Sequence, residues 1–474
     1  MERFRLFGAW NAFAFLNLER LSHESYLSTE ESKLPDLESK KSEVKRNSRL
    51  VILNGGLMQF ADSFSSSEAV IPAFIQTLTG SSVLVGLSRS MMRIGWAWPQ
   101  IFISRIIEER EEKKPLFIWV GLLRAAVWCC AAATIWFLAG ERPAIVLGAF
   151  FLMYMVLTSM MGVTNVPWMD VIGKTIPTGG RGRVFALRRL FGGGLAIASG
   201  GVIAYILSDR SGLGFPKSYA VLFLTTGVLT VVAILAFGLI REPIEQVRKG
   251  RLPMGEYLKS GFKLLKEDDD YRRLFILRYI WATAMMGTSF YVPFALSDLG
   301  IGVVYIGLFV SVSQAASILS NALWAWVSER WGNRELLISG TYLLGLSILV
   351  PITTPLISDT PIQPLSFIGI DFSLSTRVLY FCLTFLFNGF STSGMFTGRM
   401  ALVLDLSPPD RRPIYTSFMN TMGVPQGLMP ILGGLLAGWL SYHYMFLISL
   451  LFIPPAIILA DRISPSPERS KVTV

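Results

Sequence analysis

Between residues 50 and 462 the chain alternates long apolar runs with short polar or charged blocks. Twelve runs stand out: 51–77, 83–106, 116–139, 143–170, 184–208, 218–240, 274–297, 302–327, 335–357, 376–404, 414–440 and 443–460. Nearly all reach the roughly 20 apolar residues that a helix needs to cross a bilayer. With no water to bond their backbone groups, such segments are expected to be helical. The predicted fold class is an all-α polytopic membrane protein, with twelve transmembrane helices in two six-helix pseudo-symmetric halves. The halves are 50–241 and 274–462, joined by a central linker, 242–273, and followed by a tail, 463–474.

The first span breaks the apolar pattern. Val51–Thr77 carries Asp62, Glu68 and a run of serines between them. A charge at the bilayer centre costs about 2.5–3.5 kcal/mol on insertion scales, so it normally faces a protein interior or a water-filled cavity. Span one is therefore expected to line a transport path. From the helical rise, Asp62 and Arg93 of span two lie near the midplane, and Glu68 and Arg89 about 6–9 Å beyond it. The level-by-level pairs are Asp62 with Arg93 and Glu68 with Arg89. On an unbroken helix residues 62 and 68 point about 120° apart, so both pairs are not expected to form at once. Arg124 of span three is a further cavity candidate. Arg188, Arg189, Arg278 and Arg399 fall within about two turns of one end of their spans, where they are expected to snorkel or join a charged cluster.

Ahead of the spans, residues 1–49 form a separate region. Phe4–Leu18 is apolar behind Arg3 and Arg5, too short to span and without a small-residue cleavage site; it is expected to be an interfacial helix rather than a signal peptide. Ser22–Arg49 reads as a flexible cytoplasmic arm.

Only 16% of residues are charged, against about 25% in soluble domains, and they sit between the spans. The net charge of +10 therefore points to topology rather than to nucleic acid. Basic residues concentrate after even-numbered spans, which places both termini and the linker in the cytoplasm and Ser358–Ser375 outside. A plasma (inner) membrane location is expected. Cys129, Cys130 and Cys382 lie in apolar runs, and His23 and His443 are the two histidines. No metal, cofactor or enzymatic constellation is expected. Gly173-Lys174-Thr175 lacks the upstream glycine of a phosphate loop, since Trp168 stands there.

The two groups of spans repeat. A shift of 221 positions aligns Pro72 with Pro293, Gly86-Leu87 with Gly307-Leu308, Ser90 with Ser311, Glu108 with Glu329 and Lys113 with Arg334. Asp170 aligns with Asp405, Arg181 with Arg411 and Gly193 with Gly423 at slightly larger shifts. At the 221 shift, Asp62, Glu68, Arg89 and Arg93 correspond to Thr283, Ser289, Val310 and Gln314. The second half builds its spans without these charges, which favours a functional role for them over an architectural one.

The segment Trp326-Val-Ser-Glu329-Arg330-Trp-Gly332-Asn333-Arg334 resembles the loop motif of the major facilitator superfamily, with Glu329 in place of the usual Asp and without the leading Gly. Its first-half counterpart, Ser104 to Lys114, lacks the central Gly. The resemblance covers about residues 50–462. It implies a latch between the halves on the cytoplasmic side, closed in the outward-open state, drawn from Glu108, Arg110, Asp170, Arg181, Arg183, Glu329, Arg330, Arg334, Asp405, Arg411 and Arg412. The alternative is ordinary surface charge, individually worth little.

Glycines crowd span five (Gly192–Gly194, Gly200, Gly201) and span eleven (Gly423, Gly427, Gly433, Gly434), as close packing or flexing would require. Met91, Met92, Met160, Met161, Met285 and Met286 either form an adaptable apolar cavity or fill the core.

Together these features predict a secondary transporter working by alternating access. Its partners are the lipid bilayer, a small organic solute and protons, with no nucleic acid, and a monomer is expected. Asp62 or Glu68 would carry the proton, since a carboxylate beside a low-dielectric cavity can load and release one. Export of a lipophilic or cationic solute is the first reading. Uptake of an anionic metabolite on Arg93, Arg89 and Arg124 is the second. A non-transporting sensor or scaffold is the alternative of another class.

Overall fold

The computed structural model describes residues 34–108, 111–244, 254–362, 365–367, 370–372, 374–408 and 411–464. Among the described residues, eight helices are long and apolar enough to cross a membrane. They are spans three to six (Lys114–Leu138, Pro143–Thr175, Thr178–Leu207, Lys217–Gly238), eight to ten (Tyr305–Trp331, Asn333–Leu356, Thr376–Leu406) and twelve (Tyr442–Asp461). The other four expected spans are helical but charged or interrupted. Span two is Ser82–Glu108, with Arg89 and Arg93 within it. Spans one, seven and eleven are each broken in two.

The breaks in spans one and seven fall at the same place in the repeat. Span one is Leu34–Phe64, then Val70–Thr79; span seven is Asp269–Ala284, a 3-10 turn Met285–Phe290, then Tyr291–Ser297. Val70 and Tyr291, where the two helices resume, are separated by the 221-residue shift that aligns the halves. In span one the break falls on Ser65–Ala69, where serine hydroxyls offer the backbone alternative bonds: the Ser66 hydroxyl accepts from the Glu68 amide. In span seven Met286 to Phe290 are all buried, so the freed backbone is shielded by protein.

Packing repeats with the same symmetry. In the first half, span two packs on four and span three on four and six; in the second, span eight packs on ten and span nine on ten and twelve. Between the halves, span two meets span eleven and span five meets span eight. Aromatic cages surround the outer segments of the broken helices. Phe74 packs on Phe150, Tyr219 and Phe223, and Phe294 on Phe381 and Phe446. The methionines read as cavity or core resolve in part to core: Met286 is buried, and Met91, Met92 and Met285 pack against the main cluster.

One segment outside the spans differs from the sequence expectation, and two connections carry structure. The helix of span one begins at Leu34, so the second part of the supposed flexible arm is helical; Pro35 opens the first turn, where Asp36 and Glu38 suit the positive end of the helix dipole, and Lys40, Lys41 and Glu43 follow as good helix formers. Phe4–Leu18 lies outside the described residues. The central linker contains a helix, Met254–Glu267, whose Phe262 packs edge-on to Phe418 of span eleven, with centroids 5.3 Å apart. In the connection after span nine, Leu365–Phe367 and Ile370–Phe372 form an antiparallel hairpin.

Candidate functional site

A cavity of about 450 Å³ lies between the halves. Its first wall is the broken stretch of span one: Gln59, Asp62, Ser63, Ser66, Ser67 and Glu68, with Arg188 from span five. The facing wall is Ser313, Gln314 and Ser317 of span eight and Gly389 and Thr392 of span ten, with Phe309, Val310 and Phe385 at its apolar end. The break brings Ser66, Ser67 and Glu68 onto the cavity together with Asp62, where a regular helix would fan these residues around its circumference. Gln59 donates from Nε2 to Gln314 Oε1 at 3.2 Å and so links the walls.

Each carboxylate is held from behind by an arginine of the same half. Arg124 donates to Asp62 Oδ1 at 2.6 Å. Its side chain is 6% exposed and that of Asp62 40%, so the pair has a buried cation and an anion open to the cavity. Arg89 donates to Glu68 Oε1 at 2.8 Å and to the Ser67 hydroxyl at 2.5 Å. The expected pair of Asp62 with Arg93 does not form. Depth along the bilayer sets the level of a charge but not its azimuth: Asp62 faces span three, whereas Glu68, within the break, faces span two. Arg93 has no hydrogen bond or ion pair among the described residues, and it lies against span eleven, where Gly427 leaves room beside its Cβ.

Arg188 was placed by sequence near the end of span five. Its helix begins at Thr178, six residues earlier than expected, and this sets Arg188 deep enough to line the cavity. Its guanidinium lies 4.4 Å from the Trp168 ring centroid. Gly55 makes this possible, since a Cβ there would fall 1.8 Å from the Arg188 Nε. Arg189 instead donates to Asn321 of span eight at 3.2 Å. Arg278 bonds the Met419 carbonyl, while Tyr279 donates to the Met422 carbonyl at 2.6 Å. These two side chains serve carbonyls freed where span eleven breaks, a role the sequence did not reveal. Arg399 lies 5.6 Å from the Phe396 ring. Gln59, Ser313, Gln314 and Ser317 were also missed, although polar residues inside apolar runs were a readable signal.

The expected latch residues occupy the face that carries the charged connections, here called the basic face. Among the described residues their ion pairs stay within one half or reach the linker. Asp170 meets Lys113 at 2.9 Å and Lys174 at 3.1 Å, and Lys174 also meets Glu242 at 3.3 Å. Arg181 donates to the carbonyls of Gly173 and Ile176. Arg334 pairs with Glu335 at 2.8 Å, Asp405 accepts from Asn333 at 2.7 Å, and Arg330 sits over Trp326 and Trp331. Arg411 is 3.7 Å from Glu267 of the linker helix. Arg183 is half-buried and Glu329 exposed. Arg110 and the side chains of Glu108 and Arg412 lie outside the described residues.

On the opposite face the halves touch closely. Ser82 donates to the Gly434 carbonyl at 2.9 Å and Tyr442 to Gln76 at 3.1 Å. Nearby, a Cβ on Gly307 would fall 2.1 Å from the Gly200 carbonyl oxygen. Close packing is thus a role of the span-five and span-eleven glycines. The halves are in close contact on the face opposite the charged connections; toward the basic face, among the described residues, the Gln59–Gln314 and Arg189–Asn321 hydrogen bonds join them and no ion pair does.

A Major Facilitator Superfamily model matches residues 51–376 and 362–473. The chain belongs to that superfamily. Solved members have the same fold at low identity. The nucleoside transporter NupG superposes with a TM-score of 0.62 at 14% identity, over 88% of this chain and 98% of that one. A D-xylose-proton symporter gives 0.65 at 11%, over 90% and 98%. A bacterial homologue of the iron transporter ferroportin, in an inward-facing state, gives 0.60 at 14%, over 88% and 98%. No curated protein matches in sequence. The family makes the chain a multi-pass membrane protein of transporter fold, which implies a small-molecule substrate.

Proposed function

We propose that this chain carries a small hydrophilic solute across the membrane by alternating access, coupled to protons through Asp62. The observation that carries this reading is the Asp62–Arg124 pair on the cavity wall. Asp62 is open to the cavity, so a proton can reach it from whichever side the cavity faces. Protonation weakens a charge-assisted bond that ties the broken span one to span three, and loading is thereby felt by the helix that must move. A midplane site built on a discontinuous helix is a known transporter design.

The positive-inside rule places the basic face, the linker and both termini in the cytoplasm. We take the closely packed opposite face as the outer one, and so read the conformation described as facing the cytoplasm. The latch of Glu329, Arg330, Asp405 and their first-half counterparts would close in the opposite state, its pairs forming as the seal on the other face breaks. The hydroxyl- and amide-rich walls favour a hydrogen-bonding solute over the lipophilic one read from the methionines, none of which, among the six singled out, lines the cavity.

The test is flux. Solutes that raise the melting temperature of the purified full chain are offered to proteoliposomes under an imposed pH gradient. Gradient-driven accumulation should appear in the wild type and vanish in Asp62→Asn, with downhill exchange retained. Binding without flux for every stabilising solute would favour the sensor reading instead.

A further inference from the structure

The charges around the cavity do not balance. Asp62 and Glu68 are each matched by an arginine behind them, Arg124 and Arg89. Arg188 is left over: it lines the cavity, it is bonded to no carboxylate among the described residues, and its buried Nε has no hydrogen-bond partner. It is also held in place. Its plane sits on Trp168, whose indole donates to Asn54 at 3.3 Å, and Asn54 in turn donates to the Ala233 carbonyl at 2.7 Å. A fixed guanidinium presents a planar fork of donors that matches a carboxylate. Ser313, Gln314 and Ser317 on the facing wall supply donors and acceptors for hydroxyl groups on the rest of a ligand.

We infer that Arg188 is the anchor for the anionic group of the solute, and that the cavity takes a small polar carboxylate. This rests on the transporter reading above and deepens it. It also fixes the sense of coupling. Asp62 is faced by Arg124 from span three and by Arg188 from span five, with Tyr154 of span four within electrostatic reach. Neutralising Asp62 adds to the positive surplus that the anion meets, so the proton and the carboxylate bind cooperatively, each raising the affinity for the other. Proton and anion would therefore travel together in the same direction.

The probes are sodium lactate and sodium gluconate, compared at equal ionic strength with sodium chloride, choline chloride and neutral sorbitol. They are added to the purified full-length chain, and melting temperature is read at neutral and mildly acidic pH. The two carboxylates should raise the melting temperature, more so at acidic pH, and choline and sorbitol should not. Arg188→Gln should lower the apparent carboxylate affinity about tenfold, the order expected for one charge-assisted contact, and Arg188→Lys should lie between. If the Gln variant does not fold, the Lys variant carries the comparison: it should bind more weakly than wild type, because it keeps the charge but loses the fork. Equal stabilisation of wild type and both variants overturns the inference, as does stabilisation by choline alone or by none of the probes. Choline uptake without carboxylate binding would leave the transporter reading standing while this one falls. Carboxylate binding through Arg188 without any flux would do the reverse.

Discussion

Asp62 Oδ1 and the Arg124 guanidinium are 2.6 Å apart, and the two residues differ sharply in exposure. The consequences of removing either are therefore unequal. Asp62→Ala strands a buried guanidinium, a change that costs about 3–5 kcal/mol when a buried pair is broken. Arg124→Gln leaves a carboxylate that still reaches the cavity and should cost less. Asp62→Asn with Arg124→Gln should recover folded yield and melting temperature. Arg93→Gln should fold nearly as well as wild type, because Arg93 has no described partner. Thermal denaturation of the purified variants ranks all four.

Gly307 and Gly200 approach so closely that a methyl group on Gly307 cannot fit. Overpacking of this kind costs about 1–3 kcal/mol. The contact lies on the closely packed face, so the cost falls on this conformation and is relieved when the halves part there. Gly307→Ala should shift the population toward the opposite state, read as a longer distance between spin labels on spans five and eight near that face. An unchanged distance distribution would mean that the seal adapts without opening.

Arg330 and Asp405 make no described contact across the halves in this conformation. Replacing either by Ala should leave stability within about 0.5 kcal/mol of wild type, the range for surface substitutions. It should also raise the inward-open population, measured by cysteine labelling from the basic face, because the competing state loses its latch. Unaltered labelling and unaltered flux in both variants would reduce these residues to surface charge.

Arg278 bonds a carbonyl at the break in span eleven, where Gly423 leaves space for its guanidinium. Arg278→Met keeps much of the bulk and removes the donor. An unsatisfied buried acceptor costs about 1–3 kcal/mol, and the loss should show as a lower melting temperature. Gly423→Ala should mimic it by displacing the same side chain.

Much of the fold could be read from the sequence, for a physical reason: bilayer thickness sets the span length, and the 221-residue repeat persists down to the residue where Val70 and Tyr291 restart their helices. The candidate charges were legible too, since Asp62 and Glu68 are conspicuous in an apolar run. Their partners were less so. Residue spacing gives the depth of a charge, but which helix stands behind Asp62 depends on packing, and span three is not adjacent to span one in sequence. Arg188 was misplaced because its helix begins six residues before the apolar run does, in the polar segment Thr178–Arg183. The service of Arg278 and Tyr279 to span eleven was not read: Gly423, Pro425 and Gly427 mark where that helix opens, but which side chains of span seven reach the freed carbonyls depends on packing.

Alternating access around the cavity is the central claim, and Ser317 of the facing wall reports on it most directly. Ser317→Cys, in a chain with Cys129, Cys130 and Cys382 replaced by Ser, is labelled with a membrane-impermeant maleimide in inside-out and right-side-out vesicles. The label should enter from the cytoplasmic side in the background described here, and from the outside when Gly307→Ala is added. Labelling from both sides at once in either background, or from the outside alone without Gly307→Ala, would contradict the account.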